Sequence, residues 1–422
     1  RHAYGRGQWA TTLRYVDGVY YALFIANDQQ KTFVYRTKDI ESSNWECNII
    51  DRAMHDASLL FEDGRVYCVW GNGDLRITEL EPDLSAIKEG GVDQLLISTP
   101  RETAMLRGEG AHIYHIGDYY YVLEIDWPRG GVRTETCWRS KELLGEYESK
   151  VILQGAFDGR GDGVAQGAIF ETQRGDWYSV MFQDHGAVGR IPTLQPVTWE
   201  DGWPVLGDGG VPVKEFDVRL RPWAEDKVCS SDDFDAAELD LVWQWNHKPL
   251  DGGWSLTERP GYMRIYAGAA EGIFDARNVL TQRTKGPECA TEVRLETSGL
   301  KPGSRAGICA FQSKFCAIEV EAASESKYIV VRDRDGEIFR DVMDGDDVLF
   351  RIDYDFNEDK AFFSYSYDGE IWLGPDYALE MRYTLDFFTG YRTALYSYSD
   401  IPSENVPGCE IGSYADFDYL HF

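Results

Sequence analysis

The segment Leu106-Arg-Gly-Glu109-Gly-Ala-His112-Ile-Tyr114-His115 sets a lone carboxyl group and a histidine just before an aromatic hairpin, Ile116-Gly-Asp-Tyr-Tyr-Tyr121. Carboxyl and imidazole groups give and take protons, so this is where acid–base chemistry is expected. Such groups work only when something rigid holds them, and the surrounding chain reads as strands.

The hairpin recurs. Leu13-Arg-Tyr15-Val-Asp17-Gly18-Val-Tyr20-Tyr21-Ala-Leu23-Phe24 and Leu59-Leu-Phe61-Glu-Asp63-Gly64-Arg-Val66-Tyr67-Cys-Val-Trp70 alternate apolar and aromatic residues around an Asp-Gly pair. Two more copies run from Ile113 to Leu123 around Gly117-Asp118 and from Ile169 to Met181 around Gly175-Asp176. Asp and Gly tolerate the positive φ of tight turns, so each copy predicts two antiparallel strands. Copies begin at residues 13, 59, 113 and 169, the spacing of propeller blades built from four short strands. Unrelated hairpins within a sandwich are the alternative.

Composition agrees with an all-β chain of more than one domain. The chain has 422 residues, 14% of them aromatic with 13 Trp and 25 Tyr, and long amphipathic helical patterns are scarce. A formal net charge of -30 excludes nucleic acid and acidic membrane surfaces as partners, because both need a basic patch. A neutral polysaccharide is compatible, and most of the 72 acidic residues serve solubility. Eight Cys occur without a C-x-x-C pair, so neither zinc nor a disulfide framework is expected, and Cys68 reads as a small hydrophobe within a strand. No membrane span or signal segment is visible. Localisation is left between secreted or periplasmic and cytoplasmic.

A boundary falls near residues 210–230. The segment Trp199-Glu-Asp-Gly-Trp203-Pro ends the repeats, and a linker continues through Arg221-Pro-Trp-Ala-Glu-Asp226. Beyond it, alternating strands with turns such as Asp335-Gly336 and Asp368-Gly369 predict a β-sandwich. The expected domains are 1–215 and 225–422.

Several segments in order carry a resemblance: Gly7-Gln-Trp9-Ala, His55-Asp56-Ala-Ser58, Gly108-Glu109-Gly110-Ala-His112-Ile-Tyr114, Phe182-Gln-Asp-His185-Gly-Ala-Val-Gly-Arg190 and Pro196-Val-Thr-Trp199-Glu-Asp-Gly-Trp203-Pro. They resemble glycoside hydrolase family 43, in particular members with an appended C-terminal sandwich that release arabinofuranose or xylose from hemicellulose. Trp243-Gln-Trp245-Asn-His247, Trp254-Ser-Leu-Thr-Glu-Arg-Pro260 and Ala276-Arg-Asn-Val-Leu-Thr-Gln-Arg-Thr284 resemble that sandwich, of concanavalin A-like type.

The resemblance implies a five-bladed β-propeller, four blades being visible here, and an inverting enzyme with three acidic residues. By motif, Glu109 is the general acid and Asp56 the carboxylate that orients it and raises its pKa by like-charge repulsion. Arg190 matches an arginine that approaches the sugar, where its fork can bond vicinal hydroxyls. His185 would hold a calcium ion, largely through waters, or bond water directly; no organic cofactor is implied. Trp9 and Trp127 are candidates to stack on sugar faces, and His112 is a scaffold residue behind Glu109. The Trp243 to His247 loop would shorten the funnel into a pocket, favouring cuts at chain ends.

The third acid departs from the pattern. The family's base lies in an Asp-Pro segment ahead of the Gly-x-Trp-Ala loop, which here begins at Gly7, and none of the six preceding residues is acidic. The expectation is a first blade upstream of residue 1, carrying the base. A degenerate, noncatalytic hemicellulose-binding protein is the rival, against which stands the retention of both Asp56 and Glu109. The implied function is exo-cleavage of terminal α-L-arabinofuranosyl or β-D-xylosyl units from arabinoxylan or its oligosaccharides, with an arabinan-degrading hydrolase as alternative.

Overall fold

A computed structural model describes residues 7–42, 44–99, 102, 104–160, 162–219, 227–384, 387, 389–400 and 412–422. The expected linker from Arg221 to Asp226 lies outside them. The described chain is all-β apart from one short 3-10 turn, and it divides into two compact units. Among the described residues no helix is long and apolar enough to cross a membrane.

The first unit holds four sheets of four antiparallel strands each. They are β1 (Thr12–Val16), β2 (Val19–Ala26), β3 (Lys31–Thr37) and β4 (Glu46–Ile50); then β5 (Ser58–Glu62), β6 (Arg65–Asn72), β7 (Asp74–Leu80) and β8 (Asp93–Ser98). The third sheet has β9 (Ala104–Ile116), β10 (Tyr119–Pro128), β11 (Thr134–Ser140) and β12 (Glu148–Gln154). The fourth has β13 (Ala165–Glu171), β14 (Trp177–Asp184), β15 (Arg190–Glu200) and β16 (Trp203–Leu206). Each sheet is a propeller blade, and each of the four hairpins read from the sequence forms a blade's first two strands. Asp17 and Gly18 have φ 50 and 82, and Asp63 and Gly64 have φ 49 and 73, as a two-residue turn matched to strand twist requires.

Side-chain alternation explains why the blades stack. Leu59, Cys68 and Leu80 pack with Leu23 and Val34 toward the first blade. Their neighbours Leu60 and Val69 pack with Ile113 and Val122 toward the third. Tyr121 and Leu123, flanking Val122, turn instead to Ile169 and Met181 of the fourth. A strand buried on both faces needs the near-continuous apolar runs seen here, and each fully buried Leu or Ile contributes about 2 kcal/mol. Polar ties join the blades near their first strands: Arg14 donates to the carbonyls of Leu59 and Ile113, both at 3.2 Å. Ser58 Oγ accepts from Ile113 N at 2.9 Å, and the Tyr114 hydroxyl accepts from Ile169 N at 3.1 Å.

The second unit is a sandwich of an eight-stranded and a seven-stranded sheet. Inward residues of strands Ser304–Phe311, Cys316–Ala322 and Lys327–Asp333 meet those of Glu288–Glu296, Asp347–Asp355 and Lys360–Ser366 in one core that includes Ile308, Ile318, Val331, Val293, Phe350 and Phe363. This is the sandwich predicted for the C-terminal half, with alternation serving one buried face per sheet.

Candidate active site

Three backbone irregularities, one in each of the second, third and fourth blades, aim side chains at a common point. Asp56 precedes β5 with φ 45. On β9 the register slips: His112 faces Leu123 and Glu109 faces Ile125, so three steps on β9 match two on β10. Gly110, at φ 67, lies inside this bulge, which turns Glu109 out of the regular pleat. On β13 Ala165 faces Phe182 and Ala168 faces Val180, a second bulge, with Gln166 at φ 60.

At that point His55 Nε2 lies 3.2 Å from Glu109 Oε2 and 3.5 Å from Asp56 Oδ2. Asn72 Nδ2 donates to the same Glu109 oxygen at 2.5 Å, and Gln166 Nε2 donates to Asp56 Oδ2 at 3.4 Å. Asn72 is itself clamped, since Gly71 N donates to His55 O at 2.9 Å and Gly73 N to Gly108 O at 2.7 Å. The Trp9 ring meets His55 edge-on at 5.5 Å. Exposure grades the three titratable groups: the side chains of His55, Glu109 and Asp56 are 24%, 18% and 6% accessible.

Burial raises the Asp56 carboxyl to about 6; the His55 charge opposes this, Glu109 adds to it, and Arg190 and the Gln166 hydrogen bond oppose it. His55 is also raised. Burial alone would lower it, but its hydrogen bond to Glu109 and the charges of Asp56 and Glu109 outweigh that. The like-charge repulsion expected between the two carboxyls is thus felt at Asp56.

Two more carboxyls lie behind the site. Glu124 is raised to about 8 by burial, against its 2.7 Å hydrogen bond from Trp138 Nε1. It fills the space that a Cβ on Gly108 would need, which is why glycine precedes Glu109 there. Glu135, fully buried and raised well above the usual carboxylate range by that burial, accepts from Gln166 N at 2.8 Å and so braces the second bulge.

The remaining sequence candidates fall as follows. Arg190 Nε donates to Asp184 at 3.2 Å, its guanidinium lies 4.3 Å from the Phe182 ring centre, and its charge reaches Asp56. Arg133 also donates to Asp184, at 2.6 Å, and covers a face of Trp127 at 4.7 Å, while Trp127 Nε1 donates to Gly131 O at 2.9 Å. His112 is a neutral imidazole, taken down to about 3 by burial and then by the Arg14 charge. The Trp243 to His247 segment is held within the sandwich by bonds from Trp243 Nε1 to Asp232 at 2.7 Å and between His247 Nε2 and Phe274 O at 2.9 Å.

A calcium ion at His185 would want oxygen donors. The carboxylates whose charges reach this ring are Asp158, Asp162 and Asp184. Asp158 pairs with Lys214, and Asp184 with Arg133 and Arg190, so these two carboxylates are already engaged by cationic side chains. Ligating atoms of His55, Asp56 and Glu109 come within 4.8 Å of one another. His55 in that trio is raised by its hydrogen bond to Glu109 and the charges of Asp56 and Glu109, against the lowering by burial.

Sequence reasoning missed Asn72 and Gln166 and gave His55 no role. The available signal was a polar side chain between small residues, Gly71-Asn72-Gly73 and Ala165-Gln166-Gly167.

A model of the glycosyl hydrolases family 43 matches residues 2–204, and one of the beta xylosidase C-terminal concanavalin A-like domain matches residues 231–422. A putative beta-xylosidase of Xylanibacter ruminicola is 28% identical over 389 residues, 87% of this chain and 70% of its own length. A non-reducing end alpha-L-arabinofuranosidase of Bacteroides ovatus is 29% identical over 280 residues, 61% of this chain and 51% of its own. The solved structure of a bifunctional GH43-CE protein of Bacteroides eggerthii matches with a TM-score of 0.90 at 39% identity over 99% of this chain, which spans 54% of that protein.

Proposed function

Because the chain belongs to glycosyl hydrolase family 43, we propose that it is an exo-acting hydrolase that removes terminal β-D-xylosyl or α-L-arabinofuranosyl units from arabinoxylan or its oligosaccharides, with inversion. The names of the relatives, a beta-xylosidase and an arabinofuranosidase, support the choice of sugars.

The observation that carries the reading is the convergence of Glu109, His55 and Asp56. Glu109, partly open to solvent, is the proton donor to the leaving oxygen, and Asn72 fixes the rotation of its carboxyl. Asp56 modulates the pair from behind. In an inverting pair the acid and base stand about 6.5–9.5 Å apart to admit a water. Asp56 comes within 4.8 Å of Glu109, too near to be that base.

A retaining pair stands about 5 Å apart, so the spacing alone would allow Asp56 as a nucleophile. Its environment speaks against this. A nucleophile must be ionised and open to the anomeric carbon, whereas Asp56 is 6% exposed and raised to about 6.

The test is incubation with aryl β-xyloside, aryl α-L-arabinofuranoside and arabinoxylan oligosaccharides, following the product anomer by proton NMR. With a general base present, release of a monosaccharide of inverted configuration is expected. Internal cleavage, or first product of retained configuration, would overturn the reading.

A further inference from the structure

Resting on the reading of Glu109 as the general acid, we propose that His55 reloads Glu109 with a proton between turnovers, making it a proton-exchange and positioning residue of the same reaction. The imidazole lies between the two carboxyls, 3.2 Å from Glu109 Oε2 and 3.5 Å from Asp56 Oδ2, and is the most exposed of the three. Asn72, the other group on that oxygen, is an amide and carries no exchangeable acid proton at these pH values. His55 is therefore the titratable group within hydrogen-bond reach of the acid, which is itself 18% accessible.

Its surroundings suit that task. Glu109 and Asp56 face the ring nitrogen, Trp9 packs edge-on against the ring at 5.5 Å, and Gly71 N fixes the His55 carbonyl at 2.9 Å. Arg190 faces the cluster from the fourth blade through its charge on Asp56. Two carboxyls around one imidazole favour the imidazolium, and the upward shift of His55 agrees with this.

The step balances. The glycosidic C–O bond breaks, its electron pair passes to the leaving oxygen, and that oxygen takes the proton of Glu109. The Nε2–H proton of the His55 imidazolium then passes to the Glu109 carboxylate, and the neutral imidazole takes a proton from solvent. The attacking water forms the new bond to the anomeric carbon and releases one proton to solvent.

The test is His55→Gln and His55→Asn in the whole protein, assayed on aryl glycosides running from a dinitrophenolate leaving group to phenol, and on the natural disaccharide. General acid catalysis is worth roughly 100- to 10,000-fold. A kcat loss of at least about tenfold on phenyl and disaccharide substrates, little loss on the dinitrophenyl glycoside, and partial rescue by added imidazole are expected. An equal loss across the series, no loss at all, or a change confined to KM would overturn the proposal. Glu109→Gln on the same series separates the two readings: if it lacks the leaving-group dependence, the acid assignment fails, whatever His55 does.

Discussion

Gln166, on the first strand of the fourth blade, donates its side-chain amide to Asp56 of the second blade at 3.4 Å, while its backbone N–H is held by the buried Glu135 at 2.8 Å. A hydrogen bond to the ionised form favours ionisation, so Gln166 holds Asp56 below where burial alone would put it. Gln166→Ala should move the Asp56 titration upward. Carbon-13 NMR of labelled Asp, or the acidic inflection of the pH–rate profile, reads the shift; a downward move would refute the contact.

Asp56→Asn should trade activity for stability. The carboxyl rises from its ordinary 3.8 to about 6 on folding, about 3 kcal/mol at roughly 1.4 kcal/mol per pH unit as an upper bound. With the folded value raised, the cost is absent below about pH 4, grows as pH climbs through 6, and is full at neutrality. Urea unfolding at pH 7 should show the variant more stable than the parent, and the gain should vanish at pH 3.5. Turnover should fall, and the inflection near 6 should go with it.

Glu109→Gln keeps an acceptor for Asn72 but no acidic proton. Cleavage of disaccharides should fall by on the order of 100-fold or more, with aryl substrates of good leaving groups much less affected. Isothermal titration with a product sugar should show binding preserved. An unchanged rate on xylobiose would remove Glu109 from the chemistry.

Gly110→Ala places a Cβ at a residue with φ 67 and within 2.9 Å of the Gln166 side chain. The left-handed conformation costs a non-glycine residue about 1–2 kcal/mol. The thermal midpoint should drop by a few degrees. The larger effect should be on kcat, because the bulge that aims Glu109 has to shift, and KM should change less.

The blades were legible because their turn chemistry is local: Asp17-Gly18 and Asp63-Gly64 announce the hairpins whose strands the structure shows. Glu109 and Asp56 stood out through short motifs, and the structure brings the two side chains together. Asn72, Gln166 and His55 did not, because each meets a partner distant in sequence, 37, 110 and 54 residues away. Glu124 and Glu135 read as ordinary strand carboxylates until the neighbouring strands bury them. Period-2 patterning says which residues share a face and is silent where a bulge reverses it, as it does at Gly110 and Gln166.

The bulge on β9, the bulge on β13 and the turn before β5 belong to three different blades, and none of them holds more than part of the His55, Asp56 and Glu109 cluster. The cluster is therefore a measure of how well neighbouring blades close on one another. Under the proposed function, a blade that keeps its strands, its motif and its fold but shifts against the next should lower turnover. Substitutions in the packing seams, far from any sugar, should be read first as errors of alignment and only second as losses of stability.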